Sequence, residues 1–230
     1  MRDNLKDVVY FNEFIEEDMA RINKFSDKLR SGEVREDRLF AVKQKVHDLK
    51  LGILVARYSR GDEICLLEEE YIKLVEEWEE VWEPEYYNKN LKMISLAVLF
   101  DVDKVLIERI KGMLEKSDIR DWLLEYLVNA AECEQINSSP QMLFPKAFLS
   151  LQKAVFEKNK IESLKKYLSH EWYNEDCGCY EAHKSKQNIY YGYWSFESGA
   201  IAKILNIEDS SLKDVPYYPY DLVHYKDNGY

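Results

Sequence analysis

Apolar residues recur at helical intervals along nearly the whole chain, and no convincing stretch shows the strict alternation of a half-buried strand. Leu5, Val8, Ile15, Met19, Ile22, Phe25 and Leu29 mark one amphipathic helix over residues 3–30, stopped by Ser31-Gly32. Leu39, Val42, Val46, Leu49, Ile53 and Ala56 mark a second, ending near Gly61, and the short connection predicts an antiparallel hairpin. A third runs from Cys65 to Trp82 with Leu67, Tyr71, Leu74, Val75, Trp78, Val81 and Trp82 on one face. Asn88 to Phe100 reads as a shorter, more buried helix, with Asp101 as the expected cap of the next. That next helix carries Val105, Leu106, Ile110, Met113 and Leu114. Ser117 or Asp118 is then expected to cap a helix bearing Ile119, Trp122, Leu123, Tyr126, Leu127 and Ala130. Pro145 suits a first helical position, and Phe148, Leu149, Val155 and Phe156 continue that helix to Asn159. One more passes through Ile161, Leu164, Leu168 and Trp172, followed by an irregular stretch to Ile189. The expected fold class is all-α, as two packed bundles of antiparallel helices.

The pattern is densest after Gly192. Trp194, Ile201, Ile204, Leu205 and Glu208 share one helical stripe with Glu197 in its middle, a carboxylate that must find hydrogen-bond donors or lose its charge. Ser195, Ser198, Gly199 and Ala202 form a neighbouring strip small enough for another backbone to approach. Asn206 suits a left-handed helix end with Ile207 folding back, and Asp209 and Ser210 offer caps for a short turn that Pro216 ends. Tyrosine then returns at Tyr217, Tyr218 and Tyr220, and tyrosine hydroxyls or backbone amides of this segment are the expected partners of Glu197, with Tyr217 and Tyr218 as candidate donors.

Charge changes this picture at one helix. The chain carries 43 acidic and 32 basic side chains, a formal net charge of −11. Such a surface repels phosphate and attracts basic partners, which disfavours direct nucleic-acid binding. Opposite the apolar face of the third helix lie Glu69, Glu76, Glu80 and Glu83, flanked by Glu68, Glu70, Glu77 and Glu79, with Lys73 alone among them. Like charges at this spacing cost a helix about 0.2–0.5 kcal/mol a pair, so the array reads either as a solvated face or as a docking surface for a basic partner.

The remaining chemistry is sparse. The first residues hold no apolar core of signal-peptide length, the longest apolar run (Met93 to Phe100) is too short to cross a bilayer, and four scattered cysteines suit reduced thiols, so a cytoplasmic protein is expected. Glycine loops of the phosphate-cradling kinds are absent. His170, Cys177, Cys179 and His183 have the donor chemistry of a tetrahedral metal site, but Cys-x-Cys is tighter than the usual ligand spacing, and no metal or cofactor is expected. Glu197 could serve as a general acid or base, yet no nucleophile elbow or Cys–His pair accompanies it.

The string YGYWSFES…AKILNIEDSS…PYYPYDLV resembles the C-terminal domain of PoNi-type immunity proteins, which protect bacteria from their own polymorphic nuclease toxins. The matching residues are Tyr191, Gly192, Tyr193, Trp194, Phe196, Glu197, Asp209, Ser210, Tyr217, Tyr218, Pro219, Asp221 and Leu222. The resemblance is specific over the last third of the chain; the N-terminal half shares a length and helical pattern with the family's companion domain. The polar segment Glu134 to Pro140 is the most linker-like, but the resemblance favours an earlier boundary, giving domains of residues 1–116 and 117–230. It implies a non-enzymatic protein that binds and neutralises a cognate toxin, expected here to be a basic DNase whose active site an acidic surface occludes. Glu69, Glu76, Glu80 and Glu83 are the first candidate contacts, with Glu175, Asp176 and Asp221 second; Tyr193, Trp194, Glu197 and Tyr218 are expected to be scaffold. Self-association is compatible with this reading. The alternatives are a hydrolase using Glu197 or the His/Cys cluster, and a helical scaffold for some other basic protein.

Overall fold

The computed structural model describes residues 1–131, 141–174 and 179–226, and every regular element among them is helical. Ten α-helices are present there: α1 (Val8–Arg30), α2 (Leu39–Arg60), α3 (Ile64–Trp78), α4 (Tyr87–Phe100), α5 (Lys104–Lys116), α6 (Trp122–Ala131), α7 (Pro145–Phe156), α8 (Lys160–Lys166), α9 (Phe196–Ile204) and α10 (Tyr220–Val223). They fall into two compact units, one of Met1–Trp82 with Glu181–Gly192, the other of Glu83–Tyr180 with Tyr193–Tyr230.

In the first unit, α1, α2 and α3 pack in sequence. The first helix starts later than the apolar pattern predicts. The Asp3 carboxylate accepts from the Leu5 and Lys6 amides (2.8 and 3.0 Å) and closes a turn, after which Asp7 caps α1 by accepting from the Tyr10 amide at 2.9 Å. Its inner face also lies slightly round from the expected stripe. Phe11, Phe14, Asp18 and Ile22 are buried, while Leu5, Val8 and Met19 are exposed, because the two aromatic rings bury more area than the aliphatic chains beside them. Burial raises the Asp18 carboxyl above its usual range, against the pull of Arg21 at 2.7 Å. The second helix is buried nearly all round from Leu49 to Ala56, as a central helix must be, although Leu39 at its start is exposed. Gly61 closes it at φ +102°, where a Cβ would also lie 2.9 Å from the Met1 backbone. The segment from Glu181 to Gly192 returns to this unit: Tyr190 packs on Tyr10 and Phe11 and donates its hydroxyl to Asp3, and the Ser59 hydroxyl donates to the Tyr191 carbonyl at 2.7 Å.

In the second unit, α9 packs chiefly on α4, with α6, α7 and α10 around it. Two expected caps are reassigned. Asp101 ends α4 in the left-handed region (φ 53°), the Val102 amide returning to Ala97, and Asp103 is what caps α5, accepting from Leu106 at 2.9 Å. Asp121, and not Ser117 or Asp118, opens α6: its Oδ1 accepts from the Leu123 and Leu124 amides at 3.0 and 3.1 Å. The same buried carboxylate accepts from the Leu143 amide and the Tyr87 hydroxyl, tying α4, α6 and the entry to α7 together. Burial, helped by the Asp121 charge, pushes the Tyr87 hydroxyl pKa far above its normal value.

Candidate functional site

The acidic helix is built as its pattern predicts on the inner side. Leu67, Tyr71, Leu74, Val75, Trp78 and Val81 are buried, and the Leu74 carbonyl lies 3.0 Å from buried His47 Nε2 of α2. Its glutamates, however, do not form one uniform face. On α2, Lys43, Lys50 and Arg57 recur at seven-residue intervals and therefore line one side of that helix. They meet the antiparallel α3 region in order: Lys43 with Glu80 at 2.8 Å, Lys50 with Glu77 at 2.6 Å, and Arg57 with Glu70. Arg57 also holds Asp62 at 2.7 Å. The Lys43 ammonium, by hydrogen bond and charge, holds the Glu80 carboxyl below its usual range.

Four glutamates were expected to share the outer face, and the structure separates them. Glu69 and Glu76 are exposed one heptad apart, with no ion pair or hydrogen bond to their side chains among the described residues. Glu80 is exposed but spoken for by Lys43. Glu83 is not on the helix at all: α3 ends at Trp78, Glu79–Val81 form a tighter turn, and Trp82 is extended, so Glu83 belongs to the second unit. Asp221 is exposed in the first turn of α10, also in the second unit. Glu175 and Asp176 lie outside the described residues.

The tyrosine-rich motif builds the centre of the second unit. Phe196 through Ala202 are all buried, and the Ser195 amide donates to the Tyr217 carbonyl at 2.8 Å, joining the two halves of the motif. The small-residue strip makes the close approach the sequence suggests: a Cβ on Gly199 would stand 2.6 Å from Pro219 Cγ and 3.1 Å from Val223 Cγ2. Asn206 does end α9 in the left-handed region, at φ 46°, with the Ile207 amide returning to the Ala202 carbonyl at 3.0 Å. The expected stripe is displaced, since Trp194 precedes the helix and is half-buried, as are Ile204 and Leu205, and Glu208 is exposed.

Glu197 has different donors from those expected. Its Oε1 accepts from the Tyr167 and Ser195 hydroxyls, each at 2.8 Å, and the Trp172 side chain donates to the same carboxylate. Burial nevertheless raises its pKa. Tyr218 donates instead to buried Asp209 at 2.5 Å, and His224 Nε2 sits 2.8 Å from the other oxygen of that carboxylate. Tyr193 is buried, and Tyr217 spends its ring on Trp172 and Tyr173. Asp121 and His224 are the polar residues that pattern reading missed, and Asp209, read as a cap, instead engages the Tyr218 and His224 side chains. Only Asp121 left a local sign, an aspartate directly before an apolar helical run.

The His/Cys candidates do not assemble among the described residues: His170 is exposed, His183 lies against Tyr190 in the first unit, Cys179 is half-buried in the second, and Cys177 is outside the described set. No three His, Cys, Asp or Glu side chains there are grouped to hold a metal ion. No described helix is long and apolar enough to cross a membrane.

Residues 2–111 match the family model described as PoNe immunity protein (PoNi), N-terminal, and residues 119–222 match PoNe immunity proteins (PoNi), C-terminal. Among solved structures, protein PA2201 from Pseudomonas aeruginosa superposes with a TM-score of 0.75 at 20% identity, covering 97% of this chain and 89% of its own, a likeness of fold. Comparison with curated protein sequences gives no match.

Proposed function

The chain belongs to the PoNe immunity protein (PoNi) family, and from that premise we propose that it neutralises its cognate toxin, a DNase, by laying an acidic surface over the toxin's active site. Membership makes it an immunity protein against a polymorphic nuclease toxin. The finer reading is carried by one observation: among the described residues, Glu69 and Glu76 stand exposed and unpaired on α3 while the neighbouring Glu70, Glu77 and Glu80 are neutralised by α2. A nuclease must present a positive groove to phosphate, and two carboxylates about 10 Å apart on a rigid helix can stand where phosphates would. Glu83, Glu175, Asp176 and Asp221 are the further candidate contacts. On this reading the protein is an inhibitor without chemistry of its own, acting in the cytoplasm on a basic nuclease domain.

The test is a nuclease assay of the product of the neighbouring toxin gene, with and without this protein. Wild type should abolish DNA degradation in a stoichiometric complex. Glu69→Lys with Glu76→Lys should weaken inhibition by tenfold or more, since like charge at an interface costs several kcal/mol. Glu80→Lys alone should weaken it less. Equal inhibition by the Glu69/Glu76 double variant would remove α3 from the interface, and a toxin untouched by the wild type would remove the DNase-inhibitor reading itself.

A further inference from the structure

The outer face of α7, in the second unit, keeps large apolar side chains in solvent. Phe148, Leu151 and Ala154 bury the inner side of this helix. Lys146, Leu149, Lys153 and Phe156 follow one another at three- and four-residue intervals and share the exposed side. Phe156 is 70% exposed and Leu149 47%, and Leu143 and Phe144 stand exposed just before the first turn. The two exposed rings rest on buried ones: Phe144 lies edge-on to Tyr87 at 4.6 Å, and Phe156 lies 5.9 Å from Trp122. Their position is therefore set by the core beneath them. Exposed apolar groups gathered in this way mark surfaces that meet a protein or a membrane.

Charge decides between the two. Among the described residues, no ion pair or hydrogen bond engages the side chains of Lys146, Lys153 and Lys158. Residues 141–160 hold four lysines and one carboxylate, Glu157, in a chain of net charge −11. The complement of such a surface is anionic. Lysine alone supplies its charge, and no arginine occurs beyond Arg120. Interfaces between proteins enrich arginine and deplete lysine. At a membrane, by contrast, lysine lays its stem along apolar groups and keeps its ammonium at the headgroups. A second copy docked through the same face would set lysines against lysines.

We infer that the outer face of α7 docks on an anionic phospholipid surface. Leu149 and Phe156 enter the headgroup boundary, and Lys146, Lys153 and Lys158 face the lipid phosphates. The contact is peripheral, as a helix of 12 residues requires, and it stands independently of the toxin-binding reading.

Co-sedimentation of the full chain with lipid vesicles tests it. Wild type should bind vesicles containing phosphatidylglycerol and leave vesicles of phosphatidylcholine alone, and added salt should weaken the binding. Lys153→Gln should lower the affinity about fivefold, whereas Lys24→Gln, the same charge change on exposed α1, should leave it unaltered. Phe156→Ser should lower it by tenfold or more, with helical circular dichroism unchanged. Failure to bind anionic vesicles, equal loss in Lys24→Gln and Lys153→Gln, or full binding by Phe156→Ser overturns the proposal. So does a dimer in analytical ultracentrifugation that Phe156→Ser disperses, which would give the face to a second copy of the chain. Loss of toxin inhibition in Phe156→Ser would likewise overturn it, giving the face to the toxin.

Discussion

Glu197 shows how one buried carboxylate can organise a motif. It receives two hydroxyls and an indole, so removing it strands two buried donors, Tyr167 and Ser195, and the indole of half-buried Trp172. Glu197→Ala should lower unfolding free energy by about 3 kcal/mol or more, read from denaturant titration. Its raised pKa also fixes a pH trend. Between the unfolded carboxyl value and the higher folded one, the native state holds a proton the unfolded chain has released, so stability falls as pH climbs through that window. The advantage of wild type over Glu197→Gln should therefore be greatest in acid and shrink as pH rises. Gly199 is the steric counterpart. Its strip faces a rigid proline ring, and Gly199→Ala should cost about 1–3 kcal/mol through overpacking, measured as a lowered melting temperature. The presence of both features was legible in sequence as a carboxylate on an apolar stripe and a run of small residues. The donors were not, since Tyr167 and Trp172 come from a segment about 30 residues earlier and no local pattern connects them.

At the level of elements, helical periodicity identified most helices but left their caps and ends to chemistry. Asp103 and Asp121 cap α5 and α6, where other polar residues were equally good candidates by local sequence, because the choice depends on where the preceding turn delivers the chain. The α2–α3 ladder is a similar case. Lys43, Lys50 and Arg57 at seven-residue intervals and the glutamates opposite are visible in the sequence, but which glutamates they neutralise follows only from antiparallel packing. The rungs should differ in worth. Lys43 and Glu80 have 47% and 68% of their side-chain surface in solvent, so Lys43→Ala should change stability by less than about 1 kcal/mol. Arg57 is 19% exposed and serves two carboxylates, and Arg57→Ala should cost about 2–3 kcal/mol. Hydrogen bonds from Arg60 and Arg57 outweigh burial and hold Asp62 below the usual carboxylate range. That contribution is complete above the unfolded carboxyl value and disappears as pH falls through the folded one. Wild type and Asp62→Asn should accordingly converge in stability on acidification.

Across the whole molecule, fold class was the most legible property, because amphipathic helices declare themselves one at a time. Division into units was the least, because it depends on contacts distant in sequence. Family matches follow chain order, at residues 2–111 and 119–222, whereas the first compact unit recruits Glu181–Gly192 from beyond the second match's start. Tyr190 is the residue that makes this recruitment matter. It is 1% exposed, packs on Phe11 and donates to Asp3, and Tyr190→Ala should destabilise the first unit by about 3–5 kcal/mol, seen as an earlier loss of helical circular dichroism on heating.

The return of that segment also sets an order of assembly in time. Ser59 and the Tyr191 carbonyl that it reaches are 132 positions apart in the chain. A ribosome adding roughly 5–20 residues per second needs about 7–26 s to make that stretch. Throughout the interval Phe11 and Asp3 wait for Tyr190, so the nascent first unit should be protease-sensitive in chains stalled near residue 150 and protected in those released at full length. An antidote made this way becomes complete only when its last third has been translated.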